Sequence, residues 1–376
     1  MGVWIQYVAL GWLIYELTGS PFSLGIVGFI SAIPLVLITL IGGVLADCFS
    51  KRNLLIIAKF LAMGQAFALG ILSWCDCIQV WHIILAMFVL GAANALESGG
   101  RNALIAEILK PSEITNGVGL LFTAGSIGMV IGPGIAAILL SFYGESFCFA
   151  LNGIMYIISA FMLFYVRTAP GDLVQSEEKY SRFNFKVTYK DLPGFKKMVG
   201  LILLVASVSF FCMSLLVILP VIAKDVLKLD ASGLGWLTNA FGVGFVLGSL
   251  LATGIWKSRG HFIAIAQGLL LFFLLCFSFS NIFSLSWFFL LNIGTTAIVI
   301  FILCNSVIQT LSPHEYRGRI MSVYSLFSAG GARIGGLYLG FLAENIGISL
   351  SILISFIILL IVSLFAFRQF HIYSLS

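Results

Sequence analysis

Eleven of the chain's 35 charged side chains fall between residues 167 and 197, which leaves 24 for the other 345 residues. What remains is a series of runs with almost no charge, each long enough for a helix of about 20 apolar residues to cross a bilayer. Lipid offers backbone N–H and C=O groups no partners, so such runs must close their hydrogen bonds internally, as helices. A β-barrel is excluded, because its strands alternate polar and apolar residues over about ten positions. A large soluble domain is excluded too: charged residues make up 9% of this chain and mean hydropathy is +1.11, whereas soluble domains carry about a quarter charged residues.

Hydropathy, turn signals and charge place twelve spans: one ending near residue 17, then 22–46, 53–74, 81–108, 112–142, 146–166, 198–222, 232–256, 262–279, 285–310, 320–343 and 348–367. The basic residues set the orientation. Sixteen of them, from Lys51, Arg52 and Lys59 through the 167–197 segment to Arg317, Arg319 and Arg368, fall on one side or its flanks, and Lys224 and Lys228 on the other. By the positive-inside rule both termini are cytoplasmic, in a multi-pass protein of the cell inner membrane. Topology thereby accounts for the net charge of +5, and no nucleic-acid partner is implied. The charged segment divides the chain into a six-helix bundle at 1–167, a cytoplasmic linker at 168–196 and a second six-helix bundle at 197–376, the plan of transporters built from two related halves. Span 1 is short, with at most 17 residues, about 26 Å of helix, and it lacks a basic flank. The expectation is a reading frame that begins upstream, with no cleavable signal peptide in the sequence as given.

Five stretches carry a resemblance. Residues 42–52, Gly42-Gly43-Val44-Leu45-Ala46-Asp47-Cys48-Phe49-Ser50-Lys51-Arg52, lie between spans 2 and 3. Residues 128–134, with Gly128, Gly132 and Pro133, lie in span 5. Residues 8–21, 101–107 and 316–325 complete the set. Together they resemble the major facilitator superfamily, in the branch of enterobactin exporters and macrolide-efflux-like proteins. The resemblance implies a major facilitator fold, an exporter of drugs or siderophores coupled to protons, and a cavity lined by spans 1, 4, 7 and 10. It also implies a cytoplasmic gate of Asp47 with Lys51 or Arg52, and of Glu107 near Arg319. Gly43, Gly128, Gly132 and Pro133 form its helix-packing motifs. The chain departs from the branch at Val3, where an acid is usual, at Tyr7 and Met129, where basic residues are common, and at Cys48, where Arg is usual. These changes remove charged positions that are standard in the N-terminal half of the branch.

The residues themselves point to span 4. Asn94, Glu97 and Arg101 share one helical face, and charge inside a bilayer is costly unless paired or facing a cavity. Glu97 with Arg101 is the leading functional pair, with an ion pair that only fixes packing as the alternative. Arg333 on span 11 suits an anionic substrate group or a structural partner on span 2. Asn305, with Asn292, Thr295, Thr296 and Gln309, offers uncharged groups on span 10, for substrate or for helix–helix bonds. No GxxxxGK[ST], GxSxG or HExxH sequence occurs, so no enzyme activity, cofactor or metal is expected. The functional expectation is a monomeric secondary transporter, exporting a small amphipathic molecule against protons. Import and a non-transporting receptor or scaffold are the alternatives.

Overall fold

The computed structural model describes residues 1–34, 37, 51–108, 114–165, 194–253, 259–313 and 316–370. Those residues form helices and turns, with no strand among them. Helix α1 (Gly2–Thr18) stops where Gly19 takes a left-handed conformation, φ 61°, and returns its N–H to the Tyr15 carbonyl. The Ser20 hydroxyl then accepts the Ser23 N–H and, with Pro21 in the first turn, starts α2 (Pro21–Ile30). Next come α3 (Lys51–Trp74), α4 (Val80–Ile108) and α5 (Ile114–Tyr165). The 52 residues of α5 turn at Gly144, where φ 75° and ψ −176° suit glycine alone. Its two legs, 114–143 and 145–165, correspond to the expected spans 5 and 6.

After the linker, α6 (Phe195–Val208) runs through a π turn at Ser209–Met213 into α7 (Leu215–Val221) and a second π turn at Ile222–Val226. Expected span 7 is thus a twice-bulged rod. Helices α8 (Ala231–Thr253), α9 (Arg259–Ser278), α10 (Phe283–Leu311), α11 (Arg317–Ile346) and α12 (Ile348–Phe370) match spans 8 to 12. Nine helical segments among the described residues are long and apolar enough to cross a membrane. One of these, Ala124–Tyr165, spans both legs of α5, while α1 has 17 residues and α2 ten.

The first helices pack α3 against α4 and α5, and α1 against α5; the later ones pack α8 and α9 against α10, and α6 and α9 against α12. Two seams join the first set to the second, α2 with α11 and α5 with α8. Both depend on absent side chains. A Cβ on Gly25 would lie 2.7 Å from the Gly336 carbonyl oxygen, and one on Gly340 2.6 Å from that of Pro21. On the other seam a Cβ on Gly235 would meet Ala137 Cβ at 2.5 Å, and one on Gly242 the Met129 carbonyl oxygen at 2.5 Å. Where lipid supplies no hydrophobic drive between helices, such backbone approach gives dispersion contacts that larger residues prevent.

These contacts have a side. Call the end of the molecule bearing Gly19 and Gly144 the far end, and the opposite one the linker end. The α2–α11 approaches run from Pro21 and Gly340 to Gly25 and Gly336, within the far half of both helices. The α5–α8 approaches run from the far end at Ala137 and Gly235 to mid-helix at Met129 and Gly242. Other close glycines pack within one half: Gly244 and Gly248 against α10, Gly335 against Phe210.

Candidate coupling and substrate sites

Glu97 is held chiefly from another helix. Its carboxylate lies 2.7 Å from Lys59 Nζ on α3, against 3.9 Å from the Arg101 guanidinium one turn along α4. Exposure points the same way: the Lys59 side chain is 13% accessible, that of Arg101 49%. A charged side chain at the centre of a spanning helix costs about 2.5–3.5 kcal/mol on insertion scales, so the half-buried carboxylate and the nearly buried ammonium are each other's compensation. Asn94 lies one turn before Glu97 on α4, partly buried.

The charges continue into an uncharged polar chain. Lys59 Nζ stands 5.6 Å over the Tyr156 ring, a cation–π distance. Asn152, one turn from Tyr156 on α5 and hydrogen-bonded to it, donates to Gln6 of α1. Gln6 and Gln65 of α3 exchange amide bonds at 3.0 and 3.2 Å. Gln6, Gln65 and Asn152 are each no more than 5% exposed. An unpaired amide in such surroundings costs several kcal/mol, and here three helices satisfy one another's, which pins α1 and α5 to α3. Sequence reading placed Lys59 among the flanking basic residues. Eight residues into α3, about 12 Å at 1.5 Å per residue, between Ala58 and Phe60, it is a partner to Glu97 instead, and its apolar neighbours were the available signal.

The second site lies where the two halves part. Arg333, one turn before Gly336 and partly buried, lies at mid-helix on α11. A small apolar nook of about 60 Å³ lies between α1, α2, α4, α7 and α8. Trp4 packs edge-on to Tyr7 at 5.8 Å. Asn305 accepts from the Gln309 amide at 2.6 Å and also bonds to Tyr324, whose hydroxyl donates to the Phe301 carbonyl at 3.0 Å. It therefore ties α10 to α11.

The far end is closed by polar links that the sequence did not announce. Tyr15 donates to Asp225, which the second π turn presents towards α1. Lys224 beside it lies 5.6 Å over the Trp12 ring and 5.8 Å over Tyr15. Glu344 accepts from the Ser20 hydroxyl and the Phe22 N–H, joining α11 to the start of α2.

Of the expected gate, Asp47 lies outside the described residues, as do the side chains of Lys51, Glu107 and Arg319; Gly43 of the packing motifs is outside as well. Arg52 is placed: its guanidinium donates to the Leu163 and Phe164 carbonyls at 2.9 and 2.7 Å, at the end of α5, where a cation also suits the helix dipole. Gly128 and Gly132 bring α1 against α5, since a Cβ there would lie 2.8 Å from Met1 N and 2.7 Å from Trp4 Cβ. Pro133 is buried within α5.

A family model described as transmembrane secretion effector matches residues 1–374. Macrolide efflux protein A of Streptococcus pyogenes is 21% identical over 352 residues, covering 92% of this chain and 86% of that protein. The staphyloferrin A transporter of Staphylococcus aureus is 22% identical over 261 residues, 69% of this chain and 65% of that protein. Among solved structures, a bacterial homologue of the human lysosomal transporter Spinster, inward-facing and unoccupied, superposes with a TM-score of 0.78 at 13% identity, covering 99% of this chain and 95% of that one. That last likeness is one of fold.

Proposed function

The chain belongs to the transmembrane secretion effector family of major facilitator transporters, and on that footing we propose that it exports a small amphipathic molecule by alternating access, in exchange for protons. One observation carries the reading. The close glycine seams between the halves, α2 with α11 and α5 with α8, lie between mid-helix and the far end, and the Tyr15–Asp225 and Glu344–Ser20 links lie there too. Arg333 lies at mid-helix on α11, one turn before Gly336 of the first seam. A rigid rocking about such a seam would exchange access from one side to the other.

With fifteen basic residues at the linker end and its flanks, Lys59 now set aside, against two at the far end, the linker end is cytoplasmic, and this conformation is the one that loads from the cytoplasm. Residues 1–167 and 197–376 act as the two rocking units, joined by the linker at 168–196. The efflux-type names of the relatives favour export over import. Glu97 is the proton site: it is the acid held well inside the spans, and opening to either side changes its hydration. A gate of Asp47, Lys51 and Glu107 with Arg319 closes the cytoplasmic side in the other state.

The test is transport in proteoliposomes under an imposed pH gradient. Glu97→Gln should abolish gradient-driven movement of a fluorescent lipophilic dye while leaving membrane insertion and monodispersity intact. Unchanged transport in that variant would remove Glu97 from the mechanism.

A further inference from the structure

We infer that Trp12, Tyr15 and Asp225 form a cation cage at the far end of the molecule, filled here by the chain's own Lys224, and that its ligand is an organic ammonium ion. The cage is defined by contacts alone; that ligands meet it on the side away from the cytoplasm rests on the transport reading. The Lys224 ammonium stands 5.6 Å over the Trp12 ring and 5.8 Å over the Tyr15 ring, both within the roughly 6 Å over which a ring face attracts a cation. Trp12 and Tyr15 are three residues apart in α1, so the two rings are neighbours on one face of that helix. One ammonium thus meets two ring faces at once, the arrangement by which aromatic cages take alkylated ammonium groups.

The third wall carries charge. Tyr15 donates its hydroxyl to Asp225, which sets a carboxylate at the rim, next to Lys224 in the chain. Both Lys224 and Asp225 belong to the second π turn, Ile222–Val226. The rings therefore come from the first half of the molecule and the charges from the second. Tyr15 is 5% exposed and lies deepest, Trp12 and Lys224 are partly buried, and Asp225 is exposed, so a solute at the far surface meets the carboxylate first.

The charge around the cage has the right sign for such a ligand. Six acids lie at or next to the far end, Glu16, Asp76, Glu145, Asp225, Asp230 and Glu344, against two basic residues, Lys224 and Lys228. An acidic face raises the local concentration of cations. The present occupant is also one that a ligand can replace. Lysine holds its strongly hydrated charge on a flexible four-carbon stem, so the ammonium can leave the rings for water, whereas a methylated ammonium has less hydration to regain. When a free cation takes the cage, the link that Lys224 makes between the second half and α1 is given up. An amine-bearing molecule leaving by the far end would thus untie one of the contacts that keep that end closed.

The probes for the test are tetramethylammonium and tert-butanol, similar in size and different in charge. Binding of each to the purified full chain in detergent, with ionic strength held constant by sodium chloride, is read by saturation-transfer NMR of the probe's methyl signal and by thermal shift. Lys224→Met vacates the cage and should bind tetramethylammonium severalfold more tightly than the wild type, with no such gain for tert-butanol. Added to Lys224→Met, Trp12→Leu should abolish that binding, Trp12→Phe should keep part of it, and Asp225→Asn should weaken it severalfold. Equal tetramethylammonium affinity in the wild type and Lys224→Met would overturn the inference, as would binding that survives a folded Trp12→Leu. If Trp12→Leu does not fold, the Lys224→Met comparison and Trp12→Phe still decide. The source of the ammonium is read in proteoliposomes: Trp12→Phe should slow export of a cationic dye more than that of a neutral one where the exported molecule itself enters the cage, and both alike where only ions of the outer medium do. Since the binding assays involve no transport, their failure is separate from failure of proton-coupled export, which the Glu97→Gln assay reads.

Discussion

Replacing Gly25 by alanine puts one methyl group into the α2–α11 seam, and the structure gives the size of the disturbance. The new Cβ would stand 2.7 Å from the Gly336 carbonyl oxygen and 2.8 Å from Leu337 Cα. The first approach is about 0.7 Å inside ordinary contact at 3.4 Å, and because the partners are backbone atoms, no rotamer change relieves it. The helices must separate at the far end. Overpacking of this kind costs about 1–3 kcal/mol. In the opposite conformation the seam is opened and the methyl group is free, so the whole cost bears on the equilibrium between the two states. That is a shift of about 5- to 150-fold, which would take a 99:1 preference for far-end closure to between about 20:1 and 1:1.5.

Double electron–electron resonance can read this. Spin labels at Gln79 and Asn281, exposed residues in the far-end turns before α4 and α10, report the gap between halves. The exposed Cys75 and Cys77 are first changed to serine. The long-distance population should grow in Gly25→Ala. It should not grow in Gly28→Ala, where a Cβ meets nothing within 4 Å on the same helix. Identical distributions for the wild type and both variants would refute the idea that this glycine contact holds the far end shut.

Two further substitutions test local structure. Asp230 Oδ1 accepts the Ser232 hydroxyl at 2.6 Å and the Gly233 N–H at 3.1 Å at the start of α8, so Asp230→Ala should destabilise by about 1 kcal/mol. Those bonds, the Ser232 one foremost, hold the Asp230 carboxyl below its ordinary value. The stabilisation is therefore present above the ordinary carboxylate range and fades as pH falls through the depressed value, and the gap in thermal midpoint between wild type and variant should close below about pH 4. A pH-independent gap would show that the carboxylate charge is not involved. At Gly144 a Cβ meets nothing within 4 Å, so the cost of Gly144→Ala comes from φ 75°, ψ −176° alone and should be about 1–3 kcal/mol. Gly125→Ala, equally uncrowded but helical, should be neutral or stabilising, and equal thermal midpoints for the two variants would contradict this.

Much of the Glu97 cluster was legible as residue types and hidden as partners. Glu97 stood out because a carboxylate in an apolar run is costly, and helical spacing nominated Arg101 beside it. Spacing reports only neighbours on the same helix, and Lys59 is 38 positions away; it reads as an anchor until α3 is laid against α4. The buried Gln6–Gln65–Asn152 cluster was missed for the same reason, since single amides in three separate spans carry no pattern until the helices meet. Arg333 was nominated by its depth alone, whereas which groups neighbour it depends on how α11 is rotated about its axis. The far-end links show the limit most plainly. Tyr15 and Asp225 are 210 residues apart, and Asp225 reaches α1 by way of a π turn that hydropathy does not register.

The sequence by itself determined that the chain is helical, that it lies in a membrane and where nearly every helix begins and ends, because lipid leaves a backbone no other way to satisfy its polar groups and because Gly, Pro and charge punctuate the apolar runs. Tertiary structure alone decided which helices touch, at which end the halves close and which charges pair. Those outcomes turn on gaps of under 3 Å between backbones and on the rotation of each helix about its axis. Hydropathy is blind to both, since an apolar residue facing lipid and one facing another helix have nearly the same transfer energy.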